Sequence, residues 1–225
     1  MREVVDGVIE IPIGYVNAYA VVVDDGVVLV DTGIPGRAEK VARAVEAARR
    51  SIGEVHTILL THWHPDHIGG VAELRRRSGA RVVAHAMDAP LITGVVKARP
   101  ATGFMRVVAA IMPPPEHVPV DEALTADGPI SVSGFTAIHT PGHTRGHMSF
   151  LLDRDGGVLF AGDAAGGRRS GRIRRSPRMV TEDRAAELAS IARLGDLSFE
   201  SAVFGHGRAI SREAAQRFRE FAALG

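Results

Sequence analysis

The stretch Thr61-His62-Trp63-His64-Pro65-Asp66-His67 crowds three imidazoles and a carboxylate into six residues. It follows the apolar run Thr57–Leu60 and precedes a helix predicted from about Ile68 to Arg77. Side chains so close repel one another when protonated and waste polar burial when unpaired. A divalent metal removes both problems, because neutral imidazole and carboxylate are good ligands for it. One tetrahedral ion cannot easily use all four donors from so short a loop. In an extended segment His62 and His64 point the same way, whereas Asp66 and His67 follow the turn and can reach a second ion nearby.

Hydrophobic periodicity organises the rest. Val8–Ile13, Ala18–Asp24 and Val27–Asp31 read as strands, the last two joined at Asp25-Gly26. Gly36–Arg50 reads as a helix, with Val41, Ala44, Val45 and Ala48 on one face. Arg81–Ala84, Ile130–Val132, Phe135–Thr140, Met148–Leu152, Val158–Ala161 and Ser201–Phe204 read as further strands. One helix is expected to start at a Thr181 cap and another at a Ser211 cap. Residues 86–117 are broken by Gly94, Pro100, Gly103 and Pro113-Pro114-Pro115, which suits short helices or a lid-like insertion. No linker separates independent domains, so 225 residues are expected to form one domain with two similar β-rich halves, sheets face to face and helices outside.

Three further ligand-type residues stand beside glycine at the ends of apolar strands: His143 in Thr140-Pro141-Gly142-His143-Thr144, Asp163 in Phe160-Ala161-Gly162-Asp163, and His206 in Phe204-Gly205-His206-Gly207. His62-x-His64-x-Asp66-His67 followed by His143, Asp163 and His206 resembles the signature of the metallo-β-lactamase superfamily. Leu29-Val30-Asp31-Thr32-Gly33 matches a further motif near the start of such proteins, so the resemblance covers nearly the whole chain.

The resemblance implies an α/β fold, a four-layer αββα sandwich. It implies two divalent ions, zinc first and iron or manganese as alternatives, with His62, His64 and His143 on one, Asp66, His67 and His206 on the other, and Asp163 bridging them. Asp31 and His147 would stand behind the ligands. The implied chemistry is hydrolysis of an ester, thioester or lactone carbonyl by a metal-bridging hydroxide, with Asp66 as the catalytic proton carrier. Asp163 places the chain with glyoxalase II-like and lactonase-like members rather than with true β-lactamases. Acyl-homoserine lactonase or β-lactamase-like activity are the nearest alternatives. Lactonase relatives, however, usually carry a tyrosine three residues after the bridging aspartate, where this chain has Gly166. An iron-dependent persulfide dioxygenase is the alternative from another class, disfavoured by the complete second ligand set.

Six arginines lie between Gly166 and Arg178, and Arg168 and Arg169 among them are candidates for guiding an anionic small-molecule substrate. A net charge of +1 and the lack of interleaved aromatics argue against a nucleic-acid partner. The absence of cysteine excludes disulfides and thiolate chemistry. The N-terminal MREVVDGVIEIPIG has no long apolar run, so neither a signal peptide nor a membrane partner is expected, and the location expected is cytoplasmic. His56, His85, His117 and His139 have no motif around them and are expected to be structural or on the surface.

Overall fold

A computed structural model describes residues 1–97 and 113–224. Residues 98–112, nearly half of the lid-like insertion expected at 86–117, therefore lie outside the described residues. The chain folds as two compact units, one of residues 1–3 and 7–124, the other of residues 4–6 and 125–225.

The first unit carries a seven-stranded sheet in the order β1-β2-β3-β4-β5-β6-β7. β1 is Arg2–Val5, β2 Val8–Ile13, β3 Val16–Val23, β4 Gly26–Val30, β5 Val55–Leu59, β6 Arg81–His85 and β7 Glu122–Leu124. β2, β3 and β4 form an antiparallel meander, and β4, β5, β6 and β7 run parallel. The tight turn between β3 and β4 is Asp24-Asp25, one residue earlier than expected, because Gly26 already pairs with Val23. Gly26 has φ 144°, and a side chain there would press within 2.5 Å of the Glu54 carbonyl oxygen.

Helix α1 (Ala38–Ala47) buries Val41, Ala44 and Val45, as the periodicity predicts. The helix expected at Ile68–Arg77 is instead two pieces, α2 (Pro65–Ile68) and α3 (Val71–Ser78). Pro65 starts α2 one turn early, where its fixed φ suits the first helical position. Gly69 and Gly70 separate the pieces, and a methyl on Gly69 would sit 2.2 Å from the Pro35 nitrogen. The glycine is there to let two backbones touch. A short α4 (Ala89–Ile92) follows β6.

The second unit carries a five-stranded sheet, β14-β11-β10-β9-β8, and a small hairpin, β12-β13. β8 is Gly128–Pro129, β9 Phe135–His139, β10 Met148–Leu152, β11 Val158–Phe160, β12 Gly166–Gly167, β13 Ile173–Arg174 and β14 Ser201–Val203. Ile130–Val132 is not the strand expected. It forms a turn in which the Phe135 amide donates to the Val132 carbonyl, and Gly134 closes it at φ 78°. β9 and β11 both run antiparallel to β10, and β14 runs parallel to β11. The C-terminal ends of β9, β11 and β14 therefore lie on one edge of the sheet.

Two helices cover this sheet, α5 (Arg184–Gly195) and α6 (Ala214–Ala222). Their caps differ from expectation. Asp183, not Thr181, caps α5 by accepting from the amides of Ala185 and Ala186, while Thr181 donates its hydroxyl to the Pro177 carbonyl. α6 starts at Glu213 with φ 55° and no side-chain cap, and Ser211 lies outside the helix. Phe218 of α6 is fully buried between Phe204 (ring centroids 6.2 Å apart) and Phe199 (5.5 Å). Burial of such a ring stabilises by about 1.5–3 kcal/mol. No helix among the described residues is long and apolar enough to cross a membrane.

Candidate metal centre

In the first unit, three neighbouring parallel strands release their chains at the same end. β4 leads to Asp31, β5 to the His62–His67 loop, and β6 to Asp88. The C-terminal edge of parallel strands is where open α/β sheets present chemistry. Asp31 is 2% exposed. Its Oδ1 accepts from the Thr61 amide at 2.8 Å, and its Oδ2 accepts from the Thr61 hydroxyl at 2.7 Å and from His67 Nδ1 at 2.7 Å. A carboxylate only accepts, so His67 carries its proton on Nδ1 and its lone pair on Nε2. The Thr61 hydroxyl gives its proton to Asp31 and so accepts from His62 Nδ1 at 3.0 Å. Asp31 thereby sets the tautomer of two histidines, one directly and one through Thr61.

His62 Nε2 lies 3.0 Å from His64 Nδ1. Donor atoms of His62 and His67, and of Asp66 and His67, lie within 4.8 Å of each other. His62 and His67 are buried, while His64 and Asp66 are partly exposed. Asp88, also 2% exposed, accepts from the Trp63 amide between the two histidines at 3.1 Å and pins the loop from its other side. Trp63 packs partly buried against the core of this unit.

In the second unit, His143, Asp163 and His206 follow β9, β11 and β14 on the shared sheet edge. Asp163 Oδ2 lies 3.4 Å from His143 Nε2 and 3.2 Å from His206 Nε2. Two imidazoles thus converge on one carboxylate oxygen.

Behind them runs a buried chain of hydrogen bonds with one consistent direction. The Asp163 amide donates to His147 Nε2 at 2.9 Å. His147 Nδ1 therefore holds the proton and donates to the Thr140 hydroxyl at 2.8 Å. Thr140 is 3.0 Å from the Ser149 hydroxyl, which donates to the Ala161 carbonyl at 3.2 Å. Each bond polarises the next, so the chain stiffens the turn that carries Asp163.

Helix α5 grips the same loops. The amides of Glu182 and Asp183 donate to the carbonyls of His143 and Gly142, and the Ser190 hydroxyl donates to Pro141. Glu187 is 1% exposed and accepts from Arg175, Arg184 and the Ser176 amide. Ser176 in turn donates its hydroxyl to the Asp163 carbonyl at 2.8 Å.

These donor sets fit divalent metal ions. Bonds of 2.0–2.1 Å in a tetrahedral site separate neighbouring ligand atoms by about 3.3 Å. The 3.0, 3.2 and 3.4 Å separations fall around that value, and the donors are imidazoles and carboxylates throughout.

Arg168 and Arg169, expected to guide substrate, are exposed where the chain turns between β12 and β13. His85, expected to be structural or on the surface, is buried, and its Nδ1 accepts from the Met87 amide. The supports Asp88, Ser149, Ser176 and Glu187 belong to no local motif in the sequence.

Residues 11–206 match the family model of the metallo-beta-lactamase superfamily. The chain is 32% identical to the probable metallo-hydrolase YflN of Bacillus subtilis (80% of this chain, 75% of that protein). It is 31% identical to the thioesterase pkgB of Emericella nidulans (86% of this chain, 46% of that protein). Its fold superposes on BJP-1, a subclass B3 metallo-beta-lactamase of Bradyrhizobium japonicum, with a TM-score of 0.75 at 21% identity (99% of this chain, 89% of that one). With the donor loops at the strand ends and a family match over most of its length, this chain belongs to the metallo-β-lactamase superfamily and has its α/β fold.

Proposed function

We propose that the chain is a dinuclear, zinc-dependent hydrolase of esters or thioesters. His62, His64 and His143 would hold one ion, Asp66, His67 and His206 the other, and Asp163 would contribute to both. The observation that carries the reading is the convergence of His143 and His206 on one oxygen of Asp163. An aspartate held between two imidazoles is suited to a shared ligand. The similarity to a thioesterase favours the carbonyl chemistry.

Bound divalent ions would lower the pKa of water and polarise a carbonyl oxygen. The chain's own residues do the rest. Asp31 holds the Nδ1 proton of His67 directly and that of His62 through Thr61, so both rings present Nε2. His147 fixes the backbone of Asp163 while its ring stays neutral. Asp66 is half-exposed at the start of α2, where a carboxylate oxygen can take the proton of the attacking water and return it to the leaving group.

The test combines metal analysis with a panel of thioesters, lactones, phosphoesters and β-lactams. Close to two zinc ions per chain and thioester turnover abolished in Asp66→Ala are expected. A single iron with oxygen-dependent turnover, or full activity in Asp66→Ala, would refute the reading.

A further inference from the structure

Gly166 has an ordinary backbone conformation, so no left-handed φ requires a glycine there. What requires it is Arg174. The two residues face each other across the β12–β13 pair, and the arginine side chain occupies the space beside the glycine. A methyl on Gly166 would meet Arg174 Nε at 2.9 Å, the His206 carbonyl oxygen at 3.1 Å and Arg174 Cγ at 3.2 Å. The missing side chain at 166 is the groove in which the guanidinium rests.

That groove adjoins a candidate ligand. The His206 loop docks on β12: the Gly167 amide donates to the His206 carbonyl, and the Arg208 amide donates to the Gly167 carbonyl. Gly207, at φ 102°, permits this approach. His206 is also the solvent-open member of its donor set, with 21% of its side chain exposed against 5% for Asp163 and none for His143. Arg174 thus packs against the loop that carries the most exposed donor of this set.

The neighbouring arginines are placed differently. Arg175 is paired with Glu187, and Arg168, Arg169, Arg172 and Arg178 are exposed. Arg174 is half-buried and has no acidic partner among the described residues. A planar guanidinium held in this way is suited to two-point recognition of a carboxylate.

Resting on the hydrolase reading above, we propose that Arg174 determines specificity by binding a carboxylate on the substrate, so that the preferred substrates are anionic esters or thioesters. Matched probes test this: the succinyl and butyryl thioesters of N-acetylcysteamine, and the acetyl thioesters of 3-mercaptopropionate and of its methyl ester. In the metal-loaded enzyme, Arg174→Gln should raise KM at least ~10-fold for the anionic member of one pair and leave the neutral members within about twofold. Arg174→Lys should fall between, because it keeps the charge and loses the fork.

Calorimetry of glutarate binding to the metal-loaded chain gives a readout independent of turnover. Arg174→Gln should weaken it about tenfold. Equal effects on charged and neutral probes, or glutarate binding unchanged by Arg174→Gln, would overturn the proposal. So would a charge preference that disappears only in the Arg168→Gln/Arg169→Gln double variant. Failure of the parent reading looks different: no thioester of either charge is turned over, and the glutarate measurement still decides the role of Arg174.

Discussion

The Nδ1 proton of His67 is held by Asp31 across 2.7 Å, although the two residues stand 36 positions apart. Asp31 reaches it from a backbone φ of 58°, the left-handed region that aspartate and asparagine tolerate better than other side chains. The first residue past β4 thereby controls the protonation pattern of a loop that follows β5.

That relationship makes Asp31→Asn a selective test. Asparagine fits the same φ and volume but replaces one accepting oxygen with an NH2 group. Facing two donors, the amide would favour the opposite tautomer of His67, with the proton on Nε2 where a metal should bind. Supporting groups of this kind alter metal affinity by about 10–100-fold. The expected result is weaker zinc binding of that order in competition with a chelating dye, with the metal-free protein losing only about 1–3 kcal/mol in urea. Unchanged zinc affinity would show that Asp31 serves the fold alone.

Gly142 joins the His143 loop to helix α5. It combines φ 137° with a position where a methyl would lie 2.3 Å from the Glu187 amide nitrogen. Gly36 has φ 73° and open space around it. Gly36→Ala should therefore cost only the conformational penalty, about 1–2 kcal/mol. Gly142→Ala adds a backbone collision and should cost more, at least ~3 kcal/mol in urea unfolding. Equal costs would mean that α5 yields freely and does not hold the loop.

Much of this site was legible because its donors stand at strand ends, where apolar runs mark the strand and glycine marks the exit. His143, Asp163 and His206 are of that kind. Its supports were not legible. Trp63 and Asp88 are 25 residues apart, Asp163 and Ser176 are 13 apart, and a lone serine or aspartate has no local pattern. Arg174 was hidden for another reason: β12 and β13 are two residues each, too short for alternation to register. Thr181 and Asp183 are both good caps, and the choice fell to Asp183 because Thr181 belongs to the turn ahead of it.

Asp121 predicts a pH dependence. The Arg75 guanidinium holds its carboxyl below the ordinary 3.8, helped by the Val82 amide and the charges of Arg75 and Arg81 and opposed by partial burial. A depressed folded-state pKa gives stability that is present above the unfolded value, about 3.8, and is lost as pH falls through the folded one. Wild type should therefore exceed Asp121→Asn in Tm at pH 5 and above, and the gap should close below pH 3.8. For a pair about a quarter exposed, the difference should stay within about 1 kcal/mol. A gap that widens on acidification would contradict the assignment.

Glu187 offers the sharpest separation of stability from metal binding. Its carboxylate is buried and accepts from Arg175, Arg184 and the Ser176 amide, whereas both arginines keep about a third of their surface in water. Glu187→Ala strands the Ser176 amide, but the arginines can rehydrate. The loss should thus lie toward the lower end of the 3–5 kcal/mol typical of a broken buried pair, about 3 kcal/mol. Ser176→Ala removes a single bond, from its hydroxyl to the Asp163 carbonyl. It should cost only about 1 kcal/mol of stability yet shift the absorption spectrum of the cobalt-loaded protein, because the backbone beside a candidate ligand is released. If Ser176→Ala leaves that spectrum and the cobalt affinity unchanged while Glu187→Ala still destabilises, the network serves the fold and Asp163 is positioned by His147 alone.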